Sequence, residues 1–372
     1  MQKIDTVIIG GGIIGKTISL ELTLRNIKNI IVEDPSEKKT SSVAAGMIAP
    51  ISEAVFNERT LIEPNLHSQL LWIELAKTLE SITGLGSSLS NLPSLLVGKT
   101  PDDKNIIENL VTYYEKCDLR AQKLSISECK DLLLGLTPTF SAGALLISDL
   151  FVEPMAELKL IETTLKQLGT ETIFSRAISI EPKIPRVNLT DGTIIEADQI
   201  ILATGNSGLE LLDENIDSKL QIIKVKGQII NLKLNDDEIR LNRVLRGFVN
   251  RTPIYLVPRG HNNIVVGATQ ENTGFDLGNT VDGIFNLLEP AINLFPALRQ
   301  AEIQSIDFGF RPGTIDNTAY IGKIPDLPLY CAIGHYRHGV LQAPLTAEIV
   351  ADQIEGKRNI YSEIFSPIRA LS

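Results

Sequence analysis

Apolar and polar positions along this chain fall into two textures. A largely apolar run, Thr6 to Ile9, leads into glycines and then into apolar residues at helical spacing: Ile13, Ile14, Ile18, Leu20 and Leu22. A second apolar run, Ile30 to Val32, follows. Continuous apolar runs joined by a helical pattern predict a βαβ unit with buried parallel strands. Further on, the pattern predicts a helix over Leu66 to Ile82, with Leu66, Leu70, Leu71, Ile73, Leu75 and Leu79 on one broad face and a stop at Gly84. Residues 100–145 are mixed and polar. A helix is expected over Ala156 to Leu168, ending at Gly169. A hairpin-like stretch then surrounds Asp191-Gly192, and a strong strand spans Gln199 to Ala203. From about 221 to 310 the texture turns to strands (QIIKVKGQIINLKL, TPIYLVPRG, NNIVVGAT) with turn residues at Gly260, Asn262 and Asn263, which predicts a mostly antiparallel sheet. Buried-strand character returns at YCAIG near residue 330, before a helix over Ala343 to Ile354.

Between the first two strands lies IIGGGIIG, residues 8–15. In a dinucleotide site the glycines of such a turn serve different ends. Gly10 permits the turn, Gly12 lets a pyrophosphate approach the backbone, and Gly15 lets helix and strand pack closely. The helix start offers free N–H groups and a positive dipole end to phosphates. Glu33 closes the second strand 18 residues beyond Gly15, where an acid binds a ribose hydroxyl. The chain returns to strand-plus-glycine segments twice more, at IIEADQIILATG ending in Gly205 and at the strand ending in Gly334. Such late returns to one nucleotide sheet favour FAD over NAD. After Gly334, a helix start would stabilise an anionic reduced flavin, with Arg337 adding charge.

Composition narrows the class. The 372 residues are 43% hydrophobic and 22% charged, with a formal net charge of −10, so a sizeable core is feasible and nucleic acid or an anionic membrane is a poor partner. No run reaches the ~18 apolar residues of a membrane span, and no basic leader with a cleavage site is seen. The 3 cysteines, Cys117, Cys129 and Cys331, lack C-x-x-C spacing, and the 4 histidines show no metal spacing. The expectation is a cytoplasmic protein without a metal site or disulfide framework.

Taken in order, GGGIIG, VED, TSSVAAGMIAP, ILATG, YLVPRGHNNIVVGAT, GFRPGTIDNTAYIG and IGHYRHGVLQAP resemble the D-amino-acid oxidase superfamily. They are most similar to its glycine oxidase branch, which serves thiazole formation in thiamine synthesis. The resemblance implies an α/β fold of α+β two-domain type: a Rossmann-like FAD-binding domain from discontinuous segments (1–85, 146–220 and 315–372) and a mostly antiparallel-sheet substrate domain (86–145 and 221–314). It places Ile13 and Ile14 at the pyrophosphate turn and Glu33 and Asp34 at the adenosine ribose. Thr40, Ser41, Ala45, Gly46 and Met47 lead toward the flavin. Ala177 sits by the adenine through its backbone. His335, Tyr336, Arg337, His338, Gly339, Val340 and Leu341 wrap the isoalloxazine ring. Arg311 would bind the substrate carboxylate with Tyr255 assisting, and Arg337 would lie near both substrate and flavin. No cysteine stands where sarcosine oxidases tether their flavin, so FAD is expected to be non-covalent. The resemblance also implies a homo-oligomer, although no coiled coil or apolar stripe marks an interface.

The residue types suit those roles. An arginine fork grips a planar carboxylate with two parallel hydrogen bonds. An arginine at the end of the apolar Phe308 to Phe310 run is costly unless paired. Tyr255, on an Ile-Tyr-Leu-Val strand, also fits an ordinary core aromatic. His335 and His338 read as backbone-bonded supports rather than bases, and no catalytic acid–base pair is required because the flavin carries the hydride chemistry. Gln270 stands where glycine oxidases often carry methionine, and His338 where the motif often has asparagine; both bear on substrate choice. The expected reaction is oxidative deamination of glycine or another small amine to an imine and then an oxo acid, with dioxygen reduced to hydrogen peroxide. Two alternatives stand beside it: a D-amino-acid or sarcosine-like dehydrogenase using another acceptor, and a non-catalytic flavin-binding scaffold.

Overall fold

The computed structural model describes residues 4–37, 39–212, 219–235, 238–271 and 278–371. The first sheet has the spatial order Tyr320–Lys323, Leu329–Ile333, Ile194–Leu202, Ile4–Ile9, Asn29–Glu33, Glu171–Phe174. Along this path all neighbours are parallel except the first pair, and Arg186–Leu189 and then Ala177–Glu181 extend the sheet antiparallel from Ile194–Leu202. The parallel strands are apolar because helices cover them. Helix Ile13–Leu24 packs against Ala343–Ile354 on one face, where Ile8, Ile18, Leu22, Ile201, Leu345 and Ile349 form a core. Close packing at the first turn is possible because residue 15 is glycine. A Cβ there would sit 1.9 Å from the carbonyl oxygen of Gly10.

The second sheet runs Glu302–Gly313, Ile223–Lys233, Asn263–Gly267, Thr252–Arg259, Leu245–Val249, Ser94–Gly98, Ala142–Leu146, Ala121–Leu124. It is antiparallel throughout, apart from the parallel pairing of Leu245–Val249 with Ser94–Gly98. The architecture is thus a mixed, mainly parallel sheet beside a mostly antiparallel one.

Three expectations are corrected. The mixed stretch 100–145 contains helices Pro101–Lys116 and Ile126–Leu132, each begun by a capping box, Thr100 with Asp103 and Ser125 with Glu128. Helix Val281–Leu294 lies within the segment read as strands; Thr280 caps it, and it accommodates Pro290. The third concerns helix Ile62–Thr83, which stops at Gly84 in the left-handed region and packs Leu66, Leu71, Ile73, Leu75 and Leu79 against the cores as expected, but whose inner face also carries buried polar groups. Leu70 is 57% exposed, whereas Asn65, Ser68, Gln69 and Trp72 are buried. These side chains serve as hydrogen-bonding supports. Ser68 Oγ donates to the Leu341 carbonyl at 2.6 Å, Trp72 Nε1 donates to the carbonyls of Val340 and Leu341 at 2.9 and 3.1 Å, and Asn65 Oδ1 accepts from Gln342 Nε2 at 2.9 Å. The helix therefore holds the 335–342 loop in place.

Candidate active site

Both sheets contribute to one cavity of about 630 Å³. At one end lie the glycine turn, Glu33, Asp34, Thr40, Ser41 and Gly205; at the other are Tyr255, Gly267 to Gln270, Phe308 to Pro312 and the 335–341 loop. Helix Ile13–Leu24 begins at Gly12, which offers no side-chain cap, and its first turn contains no acidic residue. The Ile13 amide donates to Ser41 Oγ at 3.3 Å, and the N–H groups that follow it in the first turn are available to an anion. Glu33 is buried, with Lys39 Nζ 2.6 Å from one carboxylate oxygen and Lys16 Nζ 3.0 Å from the other. Thr204 Oγ1 and Asn206 Oδ1 are buried on this wall without a hydrogen-bond partner among the described residues. Buried polar atoms in that condition are rare in a finished core and common where a ligand supplies the partner. A phosphate-bearing nucleotide with ribose hydroxyls fits this donor and acceptor set.

At the other end, Arg311 extends from Glu302–Gly313 across the neighbouring strand. Its guanidinium would lie 2.5 Å from a Cβ at Gly227, and its Nη1 donates to the Thr269 carbonyl at 3.1 Å. Tyr255 lies over Gly267 in the same way, its hydroxyl 2.6 Å from where a Cβ would stand. The two glycines form a floor across which both side chains reach the same face. Burial pushes the Tyr255 hydroxyl pKa up, with Arg311 opposing, so it remains a hydrogen-bond donor at neutral pH.

Arg337 is tied down. Its Nε donates to Glu53 Oε2 at 2.8 Å, its Nη1 to Glu58 Oε1 at 3.1 Å and its Nη2 to Glu58 Oε2. Glu53 in turn accepts from Arg246 Nη1 at 3.0 Å. Burial opposes the charge on Glu58, yet its bonds to His338 and Arg337 hold its pKa down at about 2. His335 is buried with Nε2 2.9 Å from Thr346 Oγ1. Burial, with the neighbouring His338, lowers its pKa to about 3. A neutral, hydrogen-bonded His335 agrees with a support rather than a proton carrier.

Most of the residues singled out from sequence line this cavity: Gly10, Gly12, Ile13, Ile14, Glu33, Asp34, Thr40, Ser41, Ala45, Gly46, Met47, Gly205, Tyr255, Gln270, Arg311, His335, Tyr336, Arg337, Gly339, Val340 and Leu341. Four do not. Gly15 packs beneath the turn and Gly334 against Thr314 and Ile222. His338 is buried beside Glu58. Ala177 lines a smaller recess of about 290 Å³, whose walls also include Asp34 and Thr204. Sequence inspection missed Glu53, Glu58 and Arg246. The charges stand in short irregular or strand segments whose spacing has no periodic signature; only an acid pair, Glu53 and Glu58, within a segment otherwise rich in apolar residues hinted at buried partners. Among the described residues, no cluster of His, Cys, Asp or Glu could hold a metal, and no helix is long and apolar enough to cross a membrane.

The sequence profile of DAO, FAD dependent oxidoreductase, matches residues 5–353. The chain belongs to this DAO family of FAD-dependent oxidoreductases. It is 33% identical over 360 residues to the bifunctional protein ThiO/ThiG of Trichormus variabilis, covering 94% of this chain and 52% of that protein. The chain thus spans about half the length of such curated relatives. It is 27% identical to the glycine oxidase of Geobacillus kaustophilus over 97% of this chain and 95% of that one. The crystal structure of glycine oxidase from the same organism superposes with a TM-score of 0.87 at 26% identity, covering 98% of each chain. Within that family the chain is similar to glycine oxidases and to bifunctional ThiO/ThiG proteins.

Proposed function

We propose that the chain binds FAD non-covalently in this cavity and oxidises glycine or another small amino acid or amine to the imine, which water converts to the oxo acid. Bound FAD would supply the acceptor for the substrate's hydride and the means of passing two electrons to dioxygen, giving hydrogen peroxide. The residues assigned to the cofactor are Gly10, Gly12, Ile13 and Ile14 at the pyrophosphate, with Gly15 packed beneath the turn, Glu33 and Asp34 at the ribose, Thr40, Ser41, Ala45, Gly46 and Met47 along the phosphates, Ala177 at the adenine, and Gly205, His335, Tyr336, Arg337, Gly339, Val340 and Leu341 toward the flavin, with Gly334 and His338 supporting that loop. Cys331 is buried, and burial pushes its thiol up to about 12, so it is a poor nucleophile for tethering a flavin.

The observation that carries the substrate assignment is the placement of Arg311 and Tyr255 on one face of the antiparallel sheet, in the cavity that also holds the dinucleotide turn. Arg311 offers a planar fork for a carboxylate and Tyr255 a neutral donor beside it. Arg337 contributes mainly through charge and by fixing the 335–341 loop, since Glu53 and Glu58 engage three of its nitrogens. Gln270 forms a polar part of the wall. The division into a cofactor domain (1–85, 146–220, 315–372) and a substrate domain (86–145, 221–314) belongs to this proposal, as does a cytoplasmic, homo-oligomeric enzyme. Oxygen-electrode traces with glycine, sarcosine and D-alanine test it. Oxygen uptake matched by peroxide is expected; amine-dependent reduction of an artificial acceptor without oxygen uptake would make it a dehydrogenase instead.

A further inference from the structure

We propose that Arg246 gives the substrate cavity a second carboxylate site, so that amino acids or amines bearing two carboxylates are preferred over monocarboxylates of similar size. The inference rests on the assignment of Arg311 to the first carboxylate. Arg246 is the direct cross-strand neighbour of Tyr255, and both belong to a row across the sheet in which Leu96 pairs with Arg246, Arg246 with Tyr255, and Tyr255 with Gly267. The cavity wall follows this row past Tyr255 and includes Leu96, Arg246 and Phe248. A substrate as small as glycine has no atoms to place there.

Arg246 is incompletely paired for a guanidinium so placed. Its Nη1 donates to Glu53 Oε1 at 3.0 Å and approaches Met47 Sδ at 3.6 Å. Its Nε and Nη2 make no hydrogen bond among the described residues. A guanidinium has five N–H donors, so those of Arg246 beyond the one engaged by Glu53 are left for water or a ligand in the cavity it lines. Glu53 is gripped on its other oxygen by Arg337, which fixes the edge of Arg246 that faces it. Three guanidiniums, on Arg246, Arg311 and Arg337, and one carboxylate, on Glu53, line this end, with Glu58 behind Arg337 as a second anion. With one substrate carboxylate on Arg311, Arg246 keeps one oxygen of Glu53 as its hydrogen-bonded anion, and the buried Asp149 adds a second, Coulombic contact. A second carboxylate at the far end of the substrate would take its remaining donors as a charge-assisted pair.

The test uses the FAD-loaded protein and non-oxidisable ligands. Dissociation constants for butyrate, valerate, succinate and glutarate are read from the perturbation of the flavin absorption band, for wild type and Arg246→Met, with Arg246→Lys as a second variant should the methionine protein not fold. In wild type the better dicarboxylate should bind at least tenfold more tightly than the matching monocarboxylate. In either variant that ratio should fall toward one. A wild-type ratio near one overturns the proposal, as does a high ratio that the substitution leaves unchanged. If none of the acids perturbs the flavin and simple amines fail to bleach it, the assignment of Arg311 falls instead.

Discussion

At Arg311 the proposed recognition reduces to one fork and one hydroxyl. Truncating one partner of a buried, hydrogen-bonded charge pair costs about 2–5 kcal/mol, so Arg311→Ala should lower kcat/KM for carboxylated amines by roughly 30- to 5000-fold while the bound-flavin spectrum stays intact. Arg311→Lys should recover little, because an ammonium does not reproduce two parallel donors. Tyr255→Phe removes a single neutral donor and should cost about 1 kcal/mol, roughly fivefold in kcat/KM. His335 predicts a pH effect. Its pKa, depressed by burial to about 3 from 6.5, means that the unfolded chain takes up a proton that the folded chain refuses as pH falls below 6.5. Stability from this group is therefore full above pH 6.5 and is lost on acidification toward pH 3, by up to about 1.4 kcal/mol per unit. His335→Gln should flatten the fall in melting temperature between pH 6.5 and 4.5; an unchanged slope would show that other groups set it. Asp149 acts in the opposite sense. Burial raises its pKa to about 6, so its contribution declines as pH rises from about 4 to 6, and only the comparison with the His335 variant isolates the histidine.

Helix Ile62–Thr83 works as a brace. Its buried Ser68, Trp72 and Asn65 hydrogen-bond to Val340, Leu341 and Gln342, so the loop assigned to the flavin depends on a helix distant in sequence. Trp72→Phe keeps much of the packing and deletes the indole N–H. It should cost about 1–3 kcal/mol because the carbonyls it serves are buried, and FAD dissociation followed by flavin fluorescence should weaken in parallel. Unchanged affinity with lowered stability would confine the brace to folding. At this scale the sequence was legible where apolar periodicity is strong: the first βαβ unit, the stop at Gly84 and helix Ala343–Ile354. At Ile62–Thr83 leucine spacing marked the packed face except at Leu70, while the buried Asn65, Ser68 and Trp72 that reach a distant loop carried no periodic signal. The helices Pro101–Lys116 and Ile126–Leu132 carried readable capping boxes that the polar texture obscured. In Val281–Leu294 the strand-rich texture of the surrounding segment hid a helix that tertiary packing supports and that accommodates Pro290.

On the scale of the whole molecule, one cavity joins the glycine turn of the parallel sheet to the arginine wall of the antiparallel sheet. Motifs with local spacing, from Gly10 to Glu33 and from His335 to Leu341, could be read from the chain because strand, turn and helix lie together in sequence. The network Arg246–Glu53–Arg337–Glu58 could not, since its members converge from three separate segments only after folding. A ligand bridging both sheets should also stabilise the fold by mass action. Free FAD at about one hundred times its dissociation constant should add about 2.7 kcal/mol to unfolding, visible as a raised melting temperature over the cofactor-free protein. Whether flavin and carboxylate clamp act together is decided by an anaerobic titration of the purified protein with glycine, sarcosine and D-alanine, followed at the flavin absorption band. A yellow protein is expected, its band bleached by at least one of these amines in wild type and by none of them in Arg311→Ala. A colourless protein that refuses FAD on reconstitution, or equal bleaching in the variant, would refute the proposed site.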